Sequence, residues 1–173
     1  EFQADQRLAA ALGEAPARLP ITTTAHITHA DALAVDWREV VPSTQGQTYI
    51  LGNPPFIGQY TKTPAQTAAM KVAWGKDYDG YLDFVTAWFK KSADFFNGGS
   101  DRSVDRLGEF AFVSTNSITQ GQAVPALFAP LYRDGWRLKF AYRTFPWNSD
   151  APGKAAVHCV ITGFTRNQSV KQR

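Results

Sequence analysis

The spacing of apolar positions changes along the chain from two to three-and-four and back. Gln3 to Leu12 is alanine-rich and reads as a helix ending near Gly13, and Arg18 to Thr24 reads as an irregular link. His26-Ile27-Thr28-His29 is a short strand candidate, followed by the turn-like Ala30-Asp31. Thr48-Tyr49-Ile50-Leu51 is a compact apolar strand. It runs into Gly52-Asn53-Pro54-Pro55-Phe56, where two prolines remove ladder donors and end it. Pro64 to Trp74 reads as a helix. Leu82, Val85, Phe89, Ala93 and Phe96 share one face at helical spacing, which predicts a helix over Tyr81 to Phe96, stopped by Asn97-Gly98-Gly99-Ser100.

Gly98 to Arg106 reads as a polar loop, and Glu109 to Thr115 as a buried strand built on Phe110-Ala111-Phe112-Val113 and ending in Ser114-Thr115-Asn116-Ser117. Gln122 to Tyr132 is a short helix that accommodates Pro125 in its first turn. Trp136, Leu138, Phe140 and Tyr142 then alternate with Arg137, Lys139, Ala141 and Arg143, as on a strand with two unlike faces. A loop from Thr144 to Lys154, containing Phe145-Pro146-Trp147, leads to a last strand within Ala155 to Phe164. Strands interleaved with helices predict an α/β sheet, mostly parallel, and the last two strands, joined without a helix, should form an antiparallel pair. We divide the chain into a helix and linker over 1–24, a core over 25–165 and a tail over 166–173.

Composition narrows the class. The chain has 173 residues, 44% of them apolar, which suffices for one domain with its own core. No run of about 18 apolar residues is present, so no membrane helix is expected. The start lacks the basic and apolar regions of a signal peptide. It opens on Glu1 rather than Met, which points to a fragment or a processed chain. One cysteine, Cys159, excludes an internal disulfide framework and fits a reducing, cytoplasmic location. The net charge of +3 is compatible with nucleic acid without demonstrating it. The cations are dispersed, and Arg143 and Lys154, flanking Phe145, are the best candidates for phosphate contacts. His26, His29 and Asp31 do not form a metal site, because positions 26 and 29 face opposite sides of a strand. No Gly-x-Ser-x-Gly occurs, and Cys159 lies inside a strand, so nucleophilic catalysis finds no support.

The sharpest chemical feature is the strand that ends in Asn53-Pro54-Pro55-Phe56. Ligands of open α/β sheets bind beyond the carboxyl ends of strands. Here two locked φ angles hold rigid acceptors at residues 53 and 54, the Asn53 amide oxygen and the loop carbonyls, beside the flat ring of Phe56. Acceptors next to an aromatic platform suit a planar ligand with an NH2 group, such as adenine. Hydrogen bonds from both N–H groups would localise the amine lone pair, so positioning and electrostatics could carry methyl transfer without a covalent enzyme intermediate.

This segment resembles the Asn-Pro-Pro-Tyr/Phe motif of amino-group methyltransferases that use S-adenosylmethionine. More narrowly, residues 25–165 resemble adenine-N6 DNA methyltransferases of single-chain restriction–modification enzymes. The resemblance implies a partial class I methyltransferase (Rossmann-like) sheet with a C-terminal antiparallel pair. It implies S-adenosylmethionine as cofactor, double-stranded DNA as partner of the parent protein, and adenine flipped from the duplex as substrate. It assigns the catalytic loop to Asn53, Pro54, Pro55 and Phe56. His29-Ala30-Asp31-Ala32-Leu33 resembles the family segment that meets the cofactor adenine, through Asp31 and Ala32, and Tyr81 opens a helix that touches the cofactor from the side. Phe110 to Ser117 resembles the strand whose polar end, with Asn116, borders the substrate pocket. Thr144-Phe145-Pro146-Trp147 resembles the last catalytic segment, with Phe145 as the better match for stacking on the base and Trp147 as a second stacker.

The glycine-rich turn that holds the methionine part of the cofactor is missing, as is the acidic residue for its ribose. Both are expected upstream of Glu1 in a parent protein, and a target-recognition region after Arg173. The polypeptide alone is therefore expected to be inactive, binding cofactor poorly and selecting no DNA sequence. Without the family's first strand, the strand at 48–51 should carry an unpaired edge that the fragment covers by self-association or by rearranging its N-terminal segment. The same loop also serves methylation of other planar amines (cytosine N4, an RNA guanine, a protein glutamine), though cytosine-N4 enzymes more often carry Ser first. A truncated, non-catalytic module is the remaining alternative.

Overall fold

A computed structural model describes residues 10–11, 13, 25–41, 46–97, 107–147 and 157–169. The predicted N-terminal helix and link and the polar loop at 98–106 fall almost wholly outside these residues. After a single helical turn, α1 (Trp37–Val40), come β1 (Thr48–Gly52), α2 (Pro64–Trp74), α3 (Thr86–Phe96), β2 (Gly108–Thr115), α4 (Ala123–Arg133), β3 (Arg137–Trp147) and β4 (Val157–Thr165). The strands form one sheet in the order β1-β2-β4-β3. β1 pairs parallel with β2, while β4 is antiparallel to both β2 and β3. Three strands therefore point one way and β4 alone opposes them. The carboxyl ends of β1, β2 and β3 share one edge of the sheet.

Local chemistry accounts for the helices. α2 starts at a capping box in which Thr63 and Gln66 satisfy each other's backbone N–H groups, with Pro64 in the first turn. α3 starts five residues later than its apolar spacing predicts. The Phe84 N–H donates to the Ile57 carbonyl (2.9 Å), and the turn ahead of the helix closes through short-range bonds such as Thr86 N to Asp83 O (3.0 Å). Even so, Leu82, Val85, Phe89, Ala93 and Phe96 are all buried, as their spacing requires.

The core lies between the sheet and the helices. Phe89 of α3 meets Phe110, Phe112 and Phe164 at 6.2, 5.1 and 5.9 Å, and Phe110 stacks on Phe164, its partner across the β2–β4 ladder. Phe128 of α4 contacts Phe164 from the same side. The opposite face, reached by alternate residues, is left open among the described residues: Tyr49, Leu51 and Tyr142 are 60%, 75% and 64% exposed. Among the described residues β1 is an edge strand, paired with β2 alone.

Two expectations are corrected. His26 to His29 form no strand; the segment is irregular and exposed, with Ile27 90% exposed and no ladder to join. Phe145-Pro146-Trp147 is the end of β3 rather than part of a loop. Pro146 is tolerated because β3 is the other edge of the sheet, where a missing donor breaks no second ladder. Register shifts between Leu138/Phe140 and Tyr142/Phe145 take up the extra residues. Among the described residues no helix is long and apolar enough to cross a membrane.

Candidate functional site

The common carboxyl edge of β1, β2 and β3 gathers the loops that follow them. β1 ends at Gly52, and the chain passes directly into Asn53 and Pro55, both exposed, with Pro54 buried between them and Phe56 half-buried. Although β1 and β3 are opposite edges of the sheet, Phe56 meets Trp147 edge-on with ring centroids 6.4 Å apart. The loop thus reaches across the ends of the two central strands. Phe145 is half-buried and lies in one ladder row with Cys159 and Thr115. The ring that touches Phe56 is Trp147, the residue ranked second by sequence. Burial pushes the Cys159 thiol up, which makes it a poor nucleophile.

The end of β2 is tied to β3 through Asn116. Its amide oxygen accepts hydrogen bonds from the hydroxyls of Thr144 (2.6 Å) and Thr119 (3.0 Å). Beside it opens a cleft of about 500 Å³ lined by Gly58 to Thr61, Tyr81, Asp83, Thr115, Ser117 and Gln120 to Ala123. Cavities of this size are in the range that accepts a small planar ligand. Tyr81, 46% exposed, lines the cleft and is oriented by its N–H donating to the Asp79 carboxylate (2.8 Å).

The cleft floor holds a buried carboxylate that sequence did not single out. Asp83 is 3% exposed, and its Oδ2 accepts from the Thr115 hydroxyl (2.8 Å) and from the Ser117 hydroxyl. The two hydroxyl oxygens lie 2.7 Å apart. Lys62, from the segment after the Asn-Pro-Pro-Phe loop, donates to the carbonyls of Leu82 (2.6 Å) and Gln59 (2.9 Å). Burial lowers the Lys62 pKa, and the nearby negative charge of Asp83 opposes that shift. A visible signal was available: an acid set within the apolar run Leu82-Asp83-Phe84-Val85 must find partners if that run is buried.

Asp31 and Ala32 lie elsewhere. The Asp31 carboxylate accepts from the Leu33 N–H (2.9 Å) and its carbonyl from Ala34 and Val35, so it organises a turn. The Ala32 carbonyl accepts from the Trp37 indole (2.7 Å), and Lys91 of α3 donates to the Leu33 carbonyl (2.6 Å). This segment therefore packs along the middle of α3, whereas Tyr81 sits before its first turn. The lining of the cleft includes Tyr81 but neither Asp31 nor Ala32.

Comparison with known proteins bears on this edge. The family described as MmeI, DNA-methyltransferase domain, matches residues 1–173. DNA methyltransferase A of Bacillus subtilis (strain 168) is 38% identical over 149 residues, covering 84% of this chain and 16% of that protein. A solved structure of the type IIL restriction-modification enzyme MmeI in complex with DNA is similar over 96% of this chain and 22% of that one, with 40% identity and a TM-score of 0.75. The chain thus spans less than a quarter of either relative.

Proposed function

The chain belongs to the MmeI DNA-methyltransferase domain family, and from that premise we propose that its carboxyl edge grips an adenine flipped from DNA and presents the N6 amine for methylation. The observation that supports this reading best is the meeting of Phe56, at the end of the Asn-Pro-Pro-Phe loop, with Trp147 at the end of β3. It brings a rigid acceptor loop and a pair of aromatic rings to one rim. Asn53 Oδ1 and the Pro54 carbonyl accept the two N–H groups of the amine, and Pro55 fixes the loop that carries them. Withdrawing both protons toward acceptors raises the nucleophilicity of the nitrogen, and a preorganised loop does so without reorganisation during the reaction. Phe56, Phe145 and Trp147 hold the base by its faces, and Asn116 ties the ends of β2 and β3 together beneath it.

S-adenosylmethionine is the methyl donor in this reading, and when bound it supplies the electrophilic methyl group. The chemistry of the residues fits its adenine end. Asp31 is exposed and uses one oxygen in its own turn, so its carboxylate retains acceptor capacity for an amine. Ala32 belongs to the same segment, while the exposed Tyr81 ring lies apart from it, on the cleft, and offers an apolar flank there. The chain spans less than a quarter of its relatives, so in this reading methyl transfer is an activity of a longer parent, whose other residues hold the methionine end, and the chain alone is inactive. The parent's partner is double-stranded DNA.

The test uses the full-length parent protein, labelled S-adenosylmethionine and unmethylated DNA, with and without Asn53→Ala. Loss of one such positioned group costs about 100-fold or more in turnover, so the variant is expected to leave little label in adenine. Undiminished labelling of adenine, or labelling of cytosine or protein in its place, overturns the reading.

A further inference from the structure

The carboxylate under the cleft has no part in the binding of base or cofactor set out above, yet it joins three segments that are distant in sequence. Asp83 is almost fully buried and accepts from the hydroxyls on both sides of Asn116, those of Thr115 and Ser117. Its own carbonyl accepts the N–H and the hydroxyl of Thr86, which starts α3 (3.0 and 2.6 Å). The residues next to it hold the far side of the acceptor loop: the Phe84 N–H donates to the Ile57 carbonyl, one residue beyond Phe56, and the Leu82 carbonyl takes the Lys62 ammonium. A buried charge disfavours the folded state unless its partners are well placed, and two hydroxyls with a nearby ammonium meet that need. Solvation of the carboxylate thus requires the turn before α3 and the end of β2 to keep one relative arrangement, and the main chain on either side of Asp83 ties the loop after β1 to the same turn.

We infer that Asp83 is a positioning residue for methyl transfer, fixing the end of β2 and the Asn-Pro-Pro-Phe loop in the relative geometry in which the amine is gripped. The assignment rests on the base-gripping role proposed for Asn53 to Phe56. Asp83 does not touch the base. Its carboxylate acts through Ser117 and Thr115 on Asn116, and the turn that it anchors carries the main-chain bonds to the strap at residues 57–62, beyond Phe56. Misplacement of a reacting group by a fraction of an ångström lowers turnover more than binding.

The experiment compares the full-length parent with its Asp83→Asn and Ser117→Ala variants, measuring kcat, the KM for DNA, cofactor Kd and the melting temperature. Asp83→Asn keeps shape and one acceptor but removes the charge; Ser117→Ala removes one donor. The expected result is a fall in kcat of about 10- to 100-fold for Asp83→Asn, with KM and cofactor Kd within about threefold of wild type. Ser117→Ala should give a smaller fall in kcat alone, and the double variant should be no worse than Asp83→Asn, because the two act as a unit. Unchanged kcat in a folded Asp83→Asn variant, or a change confined to KM or cofactor Kd, overturns the assignment. If Asp83→Asn does not fold, Ser117→Ala decides by the same criteria. Asn53→Ala is run alongside: if it too leaves methylation intact, the base-gripping reading itself fails, whereas its loss beside an unaffected Asp83→Asn defeats this assignment alone.

Discussion

Gly108, at the start of β2, offers a severe test of how the acceptor loop is held. A Cβ built there would lie 2.3 Å from the Thr48 carbonyl oxygen and 2.1 and 2.6 Å from two atoms of the Phe96 ring. Contacts of this kind do not fall below 3.0 Å, so Gly108→Ala forces the β1 backbone to retreat by about 0.7 Å. The Phe96 ring cannot easily give way, being fully buried and packed 5.2 Å from Phe95 and 5.5 Å from Trp136. Overpacking costs about 1–3 kcal/mol, and with backbone on one side and a confined ring on the other the upper end applies, about 3 kcal/mol. For a chain of this size that lowers the melting temperature by roughly 6–12 °C. Because Thr48 opens the strand that leads into Asn53, methylation by the parent protein should fall with it. Near-ultraviolet circular dichroism, reporting on buried Trp74 and Trp136, follows the melt. Gly80→Ala is the control, since a Cβ there meets nothing within 4 Å. If Gly108→Ala melts together with wild type and Gly80→Ala, the packing of β1 against β2 and α3 described above is wrong.

Two further outcomes are expected. Arg133 donates to both carboxylate oxygens of Asp77 (3.1 and 2.5 Å), chiefly by hydrogen bonding, and holds that carboxyl below its ordinary 3.8. A carboxyl depressed by folding stabilises the folded state above its unfolded pKa and stops doing so as pH falls through its folded value. Asp77→Asn should therefore melt slightly below wild type at pH 7, the pair being at the surface, and the two melting temperatures should converge in acid below 3.8; a gap that persists or widens there refutes the pairing. Leu51→Lys, on the open face of edge strand β1, should shift the isolated chain toward monomer in light scattering, because a lysine on an unpaired edge opposes strand addition; an unchanged mass distribution refutes association through that edge.

Much of the fold was legible because its signals are local. Leu82, Val85, Phe89, Ala93 and Phe96 declared a buried helical face, and the alternation through Phe110 and Phe112 a strand with one side in the core. The stop after β1 follows from two prolines, and family membership from the loop they stiffen together with its ordered companions. The errors arose where tertiary context reverses a local rule. Pro146 reads as a strand breaker until β3 is known to be an edge. His26 to His29 reads as a strand until no neighbour pairs with it.

By itself, the sequence determined the buried faces of its main helix and strand and the stop after β1, and it named candidates for the chemistry, because propensity, spacing and proline act within a few residues. Only the tertiary structure decided that β4 enters between β2 and β3, that Phe56 meets Trp147, and that Asp83 lies at the floor of the cleft with Thr115 and Ser117 as its partners. Such juxtapositions depend on pairing between distant segments and on the need of a buried charge for partners, and neither leaves a periodic trace along the chain.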